Sequence, residues 1–168
     1  MKISQSTLSK NFSQIKLLSL DVDGVLTDGG IYYTDKGDTF RKFDAKDGMG
    51  ITLLLNAGID VAIISAGAPG AIEHRAKRLN IKYVYTNIRS KLDVLISLCK
   101  DLKINLSQVA HIGDDINDIE VFKNVGISIS VKDAVTEISS IASIVTSHVG
   151  GKGAVREICD AIILSNKK

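Results

Sequence analysis

Little in this chain would hold nucleic acid, span a bilayer or be stapled by disulfides. Its 168 residues carry 21 Lys and Arg against 19 Asp and Glu, for a net charge of +2. That balance offers no electrostatic footprint for a phosphate backbone, so no nucleic-acid partner is expected. The apolar charge-free stretches Gly48–Ile59 and Val61–Ile72 are split by Asp60 and interrupted by Asn56, Ser65 and Pro69. Neither would cross a membrane. Cys99 and Cys159 lie far apart, with no Cys-x-x-Cys spacing and no neighbouring His. Both fall in apolar helical patterns and read as buried, reduced thiols. His74, His111 and His148 are scattered. None is read as catalytic, since His111 lies in a strand pattern and His74 in a charged helix. Gly48-Met-Gly50 and Gly151-Lys-Gly153 both lack the third glycine of a dinucleotide fingerprint. No linker, repeat or low-complexity tract divides the chain, so residues 15–168 are expected to form one domain. Met1–Gln14 is polar and has no apolar signal core. It reads as a mobile N-terminal extension, with cytoplasm the expected location.

What is present is an ordinary globular composition, 45% apolar and 24% charged, enough to bury a core. Short apolar runs at Lys16–Leu20, Asp60–Ser65, Tyr83–Tyr85, Val109–Ile112, Gly126–Val131 and Ser143–Thr146 predict strands. Helical patterns lie between them. Asp47 is expected to cap a helix through Ile51–Leu55, and Pro69 to occupy a first helical turn. Ser90 is expected to cap Lys91–Leu102, Asp115 to cap Ile116–Lys123 and Asp133 to cap Ala134–Ile141, with a last helix over about Gly153–Leu164. The alternation predicts an α/β fold with a mainly parallel, Rossmann-like, doubly wound sheet. Gly29–Phe43 breaks the rhythm. Apolar and polar residues alternate on both sides of Asp35-Lys-Gly37, a β-hairpin signature. The hairpin follows the first strand closely, and reads as a flap or a pairing surface for another subunit.

Asp21 and Asp23 end the first predicted strand, in Leu18-Ser-Leu-Asp-Val-Asp-Gly-Val-Leu-Thr27. Side chains two apart on a strand point the same way. Both carboxylates therefore converge at the strand's carboxyl end, where open α/β sheets bind ligands. Taken alone, the string supports a plain Asp-Gly turn as well as it supports a site. A calcium loop is excluded, because the positions that would need oxygen ligands and glycine hold Val25, Tyr32 and Leu26. A second acidic group, Ile112-Gly-Asp-Asp-Ile-Asn-Asp118, also follows a strand and opens a helix. Helix capping accounts for some of these acids, but not for two strands ending in carboxylates at one rim. Asp21, Asp23, Asp114 and Asp115 need a counter-ion there. Oxygen-only ligands favour Mg²⁺ over zinc. Lys91 stands at a predicted helix N-terminus, where a cation is unfavourable unless an anion such as phosphate joins it. Ser65, ending the run Val61–Ile64, offers a hydroxyl to a phosphoryl oxygen.

The order Asp-x-Asp, strand-end hydroxyl, Lys, Gly-Asp-Asp-x-x-Asp resembles the haloacid dehalogenase superfamily of phosphohydrolases. Within it, the chain resembles the group of 3-deoxy-D-manno-octulosonate 8-phosphate phosphatases and their sialic-acid-phosphate relatives. Asp47-Gly-Met-Gly-Ile51, Ile72-Glu-His-Arg-Ala76, Gly113-Asp-Asp115 and Gly150-Gly-Lys-Gly-Ala-Val-Arg-Glu157 carry that likeness over about Lys16–Leu164. The resemblance implies no cap domain and a homotetramer whose neighbouring subunits close each active site. It implies Asp21 as nucleophile, Asp23 as acid and base, and Lys91 and Ser65 on the phosphoryl oxygens. Mg²⁺ would be held by Asp21, the Asp23 backbone carbonyl and Asp114. Asp115 and Asp118 would stand behind them, orienting Lys91 and metal-bound water. Besides Asp23 and Lys91, the strip Asp44, Lys46, Asp47 and Gly48 is implied in substrate binding, together with Ala66 and Arg75.

The substrate class so implied is a phosphorylated sugar acid, most closely the octulosonate 8-phosphate of lipopolysaccharide precursor synthesis. Thr52 and Gly67 stand where the octulosonate enzymes usually carry arginines. A nonulosonate 9-phosphate or a neutral sugar phosphate is therefore the alternative substrate. A phospho-accepting receiver-like or scaffold domain without turnover is the alternative of a different class. Asp23, beside the acceptor, argues against it, because a lasting phospho-switch gains nothing from a built-in acid/base.

Overall fold

The structure, a computed structural model, describes residues 12–166. The chain runs from β1 (Leu17–Leu20) through a hairpin of β2 (Tyr32–Tyr33) and β3 (Thr39–Phe40) into α1 (Ala45–Asn56). There follow β4 (Asp60–Ile64), α2 (Ala71–Arg78), β5 (Tyr83–Tyr85), α3 (Lys91–Leu102) and β6 (Val109–Gly113). A 3₁₀ turn over Ile116–Asp118 leads into α4 (Ile119–Phe122), then β7 (Ile127–Ser130), α5 (Thr136–Ile141), β8 (Ile144–Val145) and α6 (Ala154–Asn166).

Six strands form one parallel sheet in the order β5-β4-β1-β6-β7-β8. Every predicted strand is present, each within two residues of its expected ends. The two faces of the strands are buried in separate clusters, because strand side chains alternate. Leu18, Leu20, Val61, Ile63, Ala110 and Ile112 pack with α1, α2 and α6. Leu17, Ala62, Ile64 and Val109 pack with α3 and α4. The chain steps from β1 to β4 to β5, then returns to β6 on the other side of β1. This reversal is the topological switch point, and it opens a crevice at the carboxyl ends of β1, β4 and β6.

Several helix starts differ from the sequence expectation. Asp44, not Asp47, caps α1, accepting from the backbone N–H groups of Lys46 at 2.6 Å and Asp47 at 3.2 Å. Asp47 is buried and caps a different helix. Its carboxylate accepts from Gly153 N at 3.2 Å and Arg156 N at 2.8 Å, at the start of α6. Pro69 lies ahead of α2, whose N-cap is Gly70 at φ +65°. Asp133 binds Gly150 N at 2.9 Å, and its helix starts later, at Thr136. Ser90 precedes α3 without a side-chain cap bond. For Asp47 and Asp133 a backbone amide distant in the chain competes with the local cap, which sequence spacing alone does not register.

The hairpin is antiparallel, pairing Tyr32 with Phe40, and turns through Gly37 at φ +85°. Its aromatic residues Tyr32, Tyr33 and Phe40 are exposed. The expected boundary at residue 15 falls late, since Phe12 is already buried in the core cluster. The rest of the expected extension, residues 1–11, lies outside the described residues.

Candidate active site

Asp21 follows the last residue of β1, and its backbone N–H donates to Ile112 of β6 at 3.0 Å. This fixes the carboxylate at the mouth of the crevice, 5% exposed. Asp21 Oδ1 accepts from Val22 N at 2.7 Å, and Oδ2 pairs with Lys91 Nζ at 2.8 Å. Lys91 opens α3 and is itself buried, with its ammonium shared between Asp21 and Asp118 Oδ1 at 2.7 Å. Its place at a helix N-terminus is the anomaly that marked it in the sequence; the structure adds its burial, and two carboxylates offset the penalty.

Asp114 follows β6 and closes the group. Ligand oxygens of Asp21, Asp114 and Asp118 all lie within 4.8 Å of one another. Burial, then the charges of Asp21 and Asp118, push the Asp114 carboxyl up to about 8. Burial and the Asp118 charge also raise Asp21, against the pull of Lys91. Burial would depress Lys91, but Asp21 and Asp118 outweigh it and hold the ammonium above its usual range. For Asp118 burial works upward, yet His111 and Lys91 hold it below the usual carboxylate range. Asp114 Oδ1 is buried with no hydrogen-bond partner. A buried acceptor without a donor, beside another anion, is what a cation would satisfy.

Asp118 Oδ1 also meets His111 Nε2 at 2.8 Å, and His111 Nδ1 lies 3.0 Å from Ser19 Oγ. The imidazole sits edge-on to Phe122, 5.9 Å between centroids. His111 thus buttresses the carboxylate that holds Lys91, a role its strand setting concealed. The available signal was parity: Ser19 and His111 are paired across β1 and β6 and share the face that packs on α3 and α4. Asp115 does not join this network. It is exposed, and its Oδ1 accepts from Ile116 N at 2.7 Å, so the expectation that it orients Lys91 fails.

Asp23 stands beside Asp21 and is gripped by Arg41 from the hairpin. Nε donates to Oδ1 at 2.8 Å and Nη2 to Oδ2 at 3.2 Å. Sequence reasoning missed Arg41, although strand alternation puts it on the side opposite the exposed Phe40. Ser65 is buried at the end of β4, its Oγ accepting from Gly67 N at 3.0 Å. A cavity of about 150 Å³ is lined by Asp21, Asp23, Ser65, Ala66, Gly67 and Asp114, among others. A second, of about 480 Å³, shares Ala66 and Asn117 with it and adds Asn87, Ile88, Arg89 and Lys91.

The other expected substrate residues lie apart from these cavities. Arg75 donates to the Asp44 carbonyl at 2.8 Å and lies 5.7 Å from the Phe43 ring, with Gly48 directly beneath its guanidinium. Lys46 is exposed and lines a different groove with His148 and Arg156. Buried Asp47 points at α6. These residues shape α1 and its neighbours rather than the crevice.

A family model described as haloacid dehalogenase-like hydrolase matches residues 78–158. The chain is 42% identical over 156 residues to the 3-deoxy-D-manno-octulosonate 8-phosphate phosphatase of Yersinia pestis, covering 93% of this chain and 83% of that protein. The crystal structure of a Yersinia pestis phosphatase of that name superimposes with a TM-score of 0.94 at 40% identity, covering 96% of this chain and 87% of that one. The Moraxella catarrhalis phosphatase, crystallised in complex with magnesium ion, phosphate ion and a KDO molecule, gives 0.94 at 35% identity, with 96% and 93% coverage. Strand order, paired carboxylate tips and these likenesses agree: the chain belongs to the haloacid dehalogenase-like hydrolases, in the family of the 3-deoxy-D-manno-octulosonate 8-phosphate phosphatases.

Proposed function

We propose that this phosphatase is a Mg²⁺-dependent phosphomonoester hydrolase that works through an aspartyl-phosphate on Asp21. Its substrate in this reading is a phosphorylated sugar acid, 3-deoxy-D-manno-octulosonate 8-phosphate. The observation that carries it is the meeting of Asp21, Lys91, Asp114 and Asp118, with one Asp114 oxygen buried and unsatisfied.

The donor set fits a hard divalent cation, being all oxygen. Asp118 already spends Oδ1 on Lys91 and His111, and its Oδ2 accepts from Asp114 N at 3.3 Å. The family resemblance assigns the metal to Asp21, Asp114 and the Asp23 backbone carbonyl, and the engaged Asp118 oxygens agree with a place for that residue behind them. Bound there, Mg²⁺ would supply positive charge to the phosphoryl oxygens. An Asp21 carboxylate oxygen attacks phosphorus in line, the ester P–O bond breaks, and Asp23 delivers a proton to the departing sugar oxygen. Water then attacks the same phosphorus and gives its proton to Asp23. The P–O bond to Asp21 breaks, and phosphate leaves. Lys91 and the Ser65 hydroxyl hold the phosphoryl oxygens between these steps.

The neighbouring cavity suits a polyhydroxylated acid. Asn87 and Asn117 offer amides to hydroxyl groups, and Arg89 offers a guanidinium. Arg89 makes no side-chain hydrogen bond or ion pair among the described residues, leaving its fork free for a carboxylate. The exposed aromatic residues of the hairpin support an assembly in which a neighbouring subunit covers them, as in the expected homotetramer. No helix among the described residues is long and apolar enough to cross a membrane, and the cytoplasmic setting remains part of this reading.

The test is a panel of octulosonate 8-phosphate, a nonulosonate 9-phosphate, a neutral sugar phosphate and p-nitrophenyl phosphate, assayed with Mg²⁺. The octulosonate ester should give the highest kcat/KM, and Asp21→Asn should abolish all turnover while keeping the fold. Arg89→Ala should raise KM for the acid by roughly 10-fold or more and spare p-nitrophenyl phosphate, as expected for loss of a charge-assisted contact. A neutral or nonulosonate ester winning by a clear margin would sink the substrate assignment. Steady turnover by Asp21→Asn would sink the mechanism.

A further inference from the structure

We propose that Arg41, carried by the hairpin, is a positioning residue for Asp23, so that seating the flap and placing the acid/base group are one event. This rests on the acid/base reading of Asp23 above.

Asp23 sits on the turn after β1, with its side chain 27% exposed. Arg41 is the one side chain found gripping it among the described residues, through both carboxylate oxygens. The Arg41 side chain is only 5% exposed although it comes from a protruding hairpin. A two-point fork fixes the plane of a carboxylate as well as its location, which a single-point lysine does not. The flap is otherwise tied down mainly at its base, by the Thr27–Phe43 bridge and the exposed Lys42–Asp28 pair at 3.1 Å. Its contact with the reaction centre runs through Arg41.

Gly67 makes room for the pair. A Cβ built there would stand 2.9 Å from Arg41 Nη2 and 2.9 Å from Asp23 Oδ2. Gly67 does not have positive φ, so an alanine there would push against the ion pair and shift it rather than strain the backbone. The loop after β4, the flap and the acid/base group thus interlock at one point.

The experiment is a kinetic double-mutant cycle with Mg²⁺ and p-nitrophenyl phosphate, repeated with octulosonate 8-phosphate. Arg41→Ala should lower kcat by about 10- to 100-fold, the scale of misplacing a catalytic group by an ångström. Arg41→Lys should restore only part of that loss, and Gly67→Ala should reproduce much of it without touching either charge. In an Asp23→Asn background, neither Arg41→Ala nor Gly67→Ala should lower kcat further, because Arg41 acts only through Asp23. A flap merely held for stability would instead shift KM or Tm, and its loss would multiply with that of Asp23→Asn. Multiplying losses, or an Arg41→Ala enzyme with unchanged kcat, would overturn the proposal. Full kcat in Asp23→Asn alone would instead overturn the acid/base reading, so the two failures are distinguishable.

Discussion

Replacing Asp114 by Asn should stabilise the metal-free protein while removing its response to magnesium. Asp114 ionises near 3.8 in a free chain but holds its proton up to about 8 in the fold. Between those values the folded state binds the extra proton. Stability therefore falls as pH rises through the window and levels off above it. At about 1.4 kcal/mol per pH unit, the full cost of ionising Asp114 is roughly 5–6 kcal/mol. The residue is only part-buried, and screening and local relaxation bring this to about 2–3 kcal/mol. For a chain of this size that is a Tm rise of roughly 5–10 °C for Asp114→Asn in chelator near pH 9, shrinking toward about pH 5. The assay is thermal unfolding across pH, with and without Mg²⁺. Saturating Mg²⁺, at about 100 times its Kd, should stabilise the wild type by about 2.7 kcal/mol and leave the variant unmoved, closing the gap. Equal pH profiles in chelator, or equal shifts with Mg²⁺, would refute the reasoning.

Lys91→Met should cost about 3–5 kcal/mol in chelator, since it strands the buried carboxylates of Asp21 and Asp118 without a cation. Denaturant unfolding reads this directly, and an unchanged midpoint would show that the ammonium does not neutralise them. Asp47→Ala should cost about 1–2 kcal/mol by uncapping α6 while leaving KM for the sugar acid unchanged. A raised KM at unchanged Tm would return Asp47 to the substrate site.

The strands were legible because parallel strands buried on both faces are short apolar runs bounded by polar turns. Asp21, Asp114 and Lys91 were legible because each sits at a strand end or helix start where its charge is out of place unless matched. Arg41 and His111 were not. Arg41 lies in a hairpin whose alternation tells which side it faces but not what it meets there, and its partner Asp23 comes from another part of the chain. His111 looked like a core residue and is one, yet its Nε2 reaches Asp118 on the far side of the strand's end. Asp47 failed in the opposite sense. Its spacing fitted a cap on its own helix, but the amides it satisfies belong to α6.

The amino-acid order by itself determined the element sequence, the carboxylate tips and the hairpin, because periodicity and turn chemistry act within a few residues. Only the tertiary structure decided which charges pair, and so that Lys91 is shared by Asp21 and Asp118, that Asp114 is left unsatisfied, and that the flap grips Asp23. Such pairings depend on distances of a few ångströms between segments far apart in the chain, set by sheet order and helix packing.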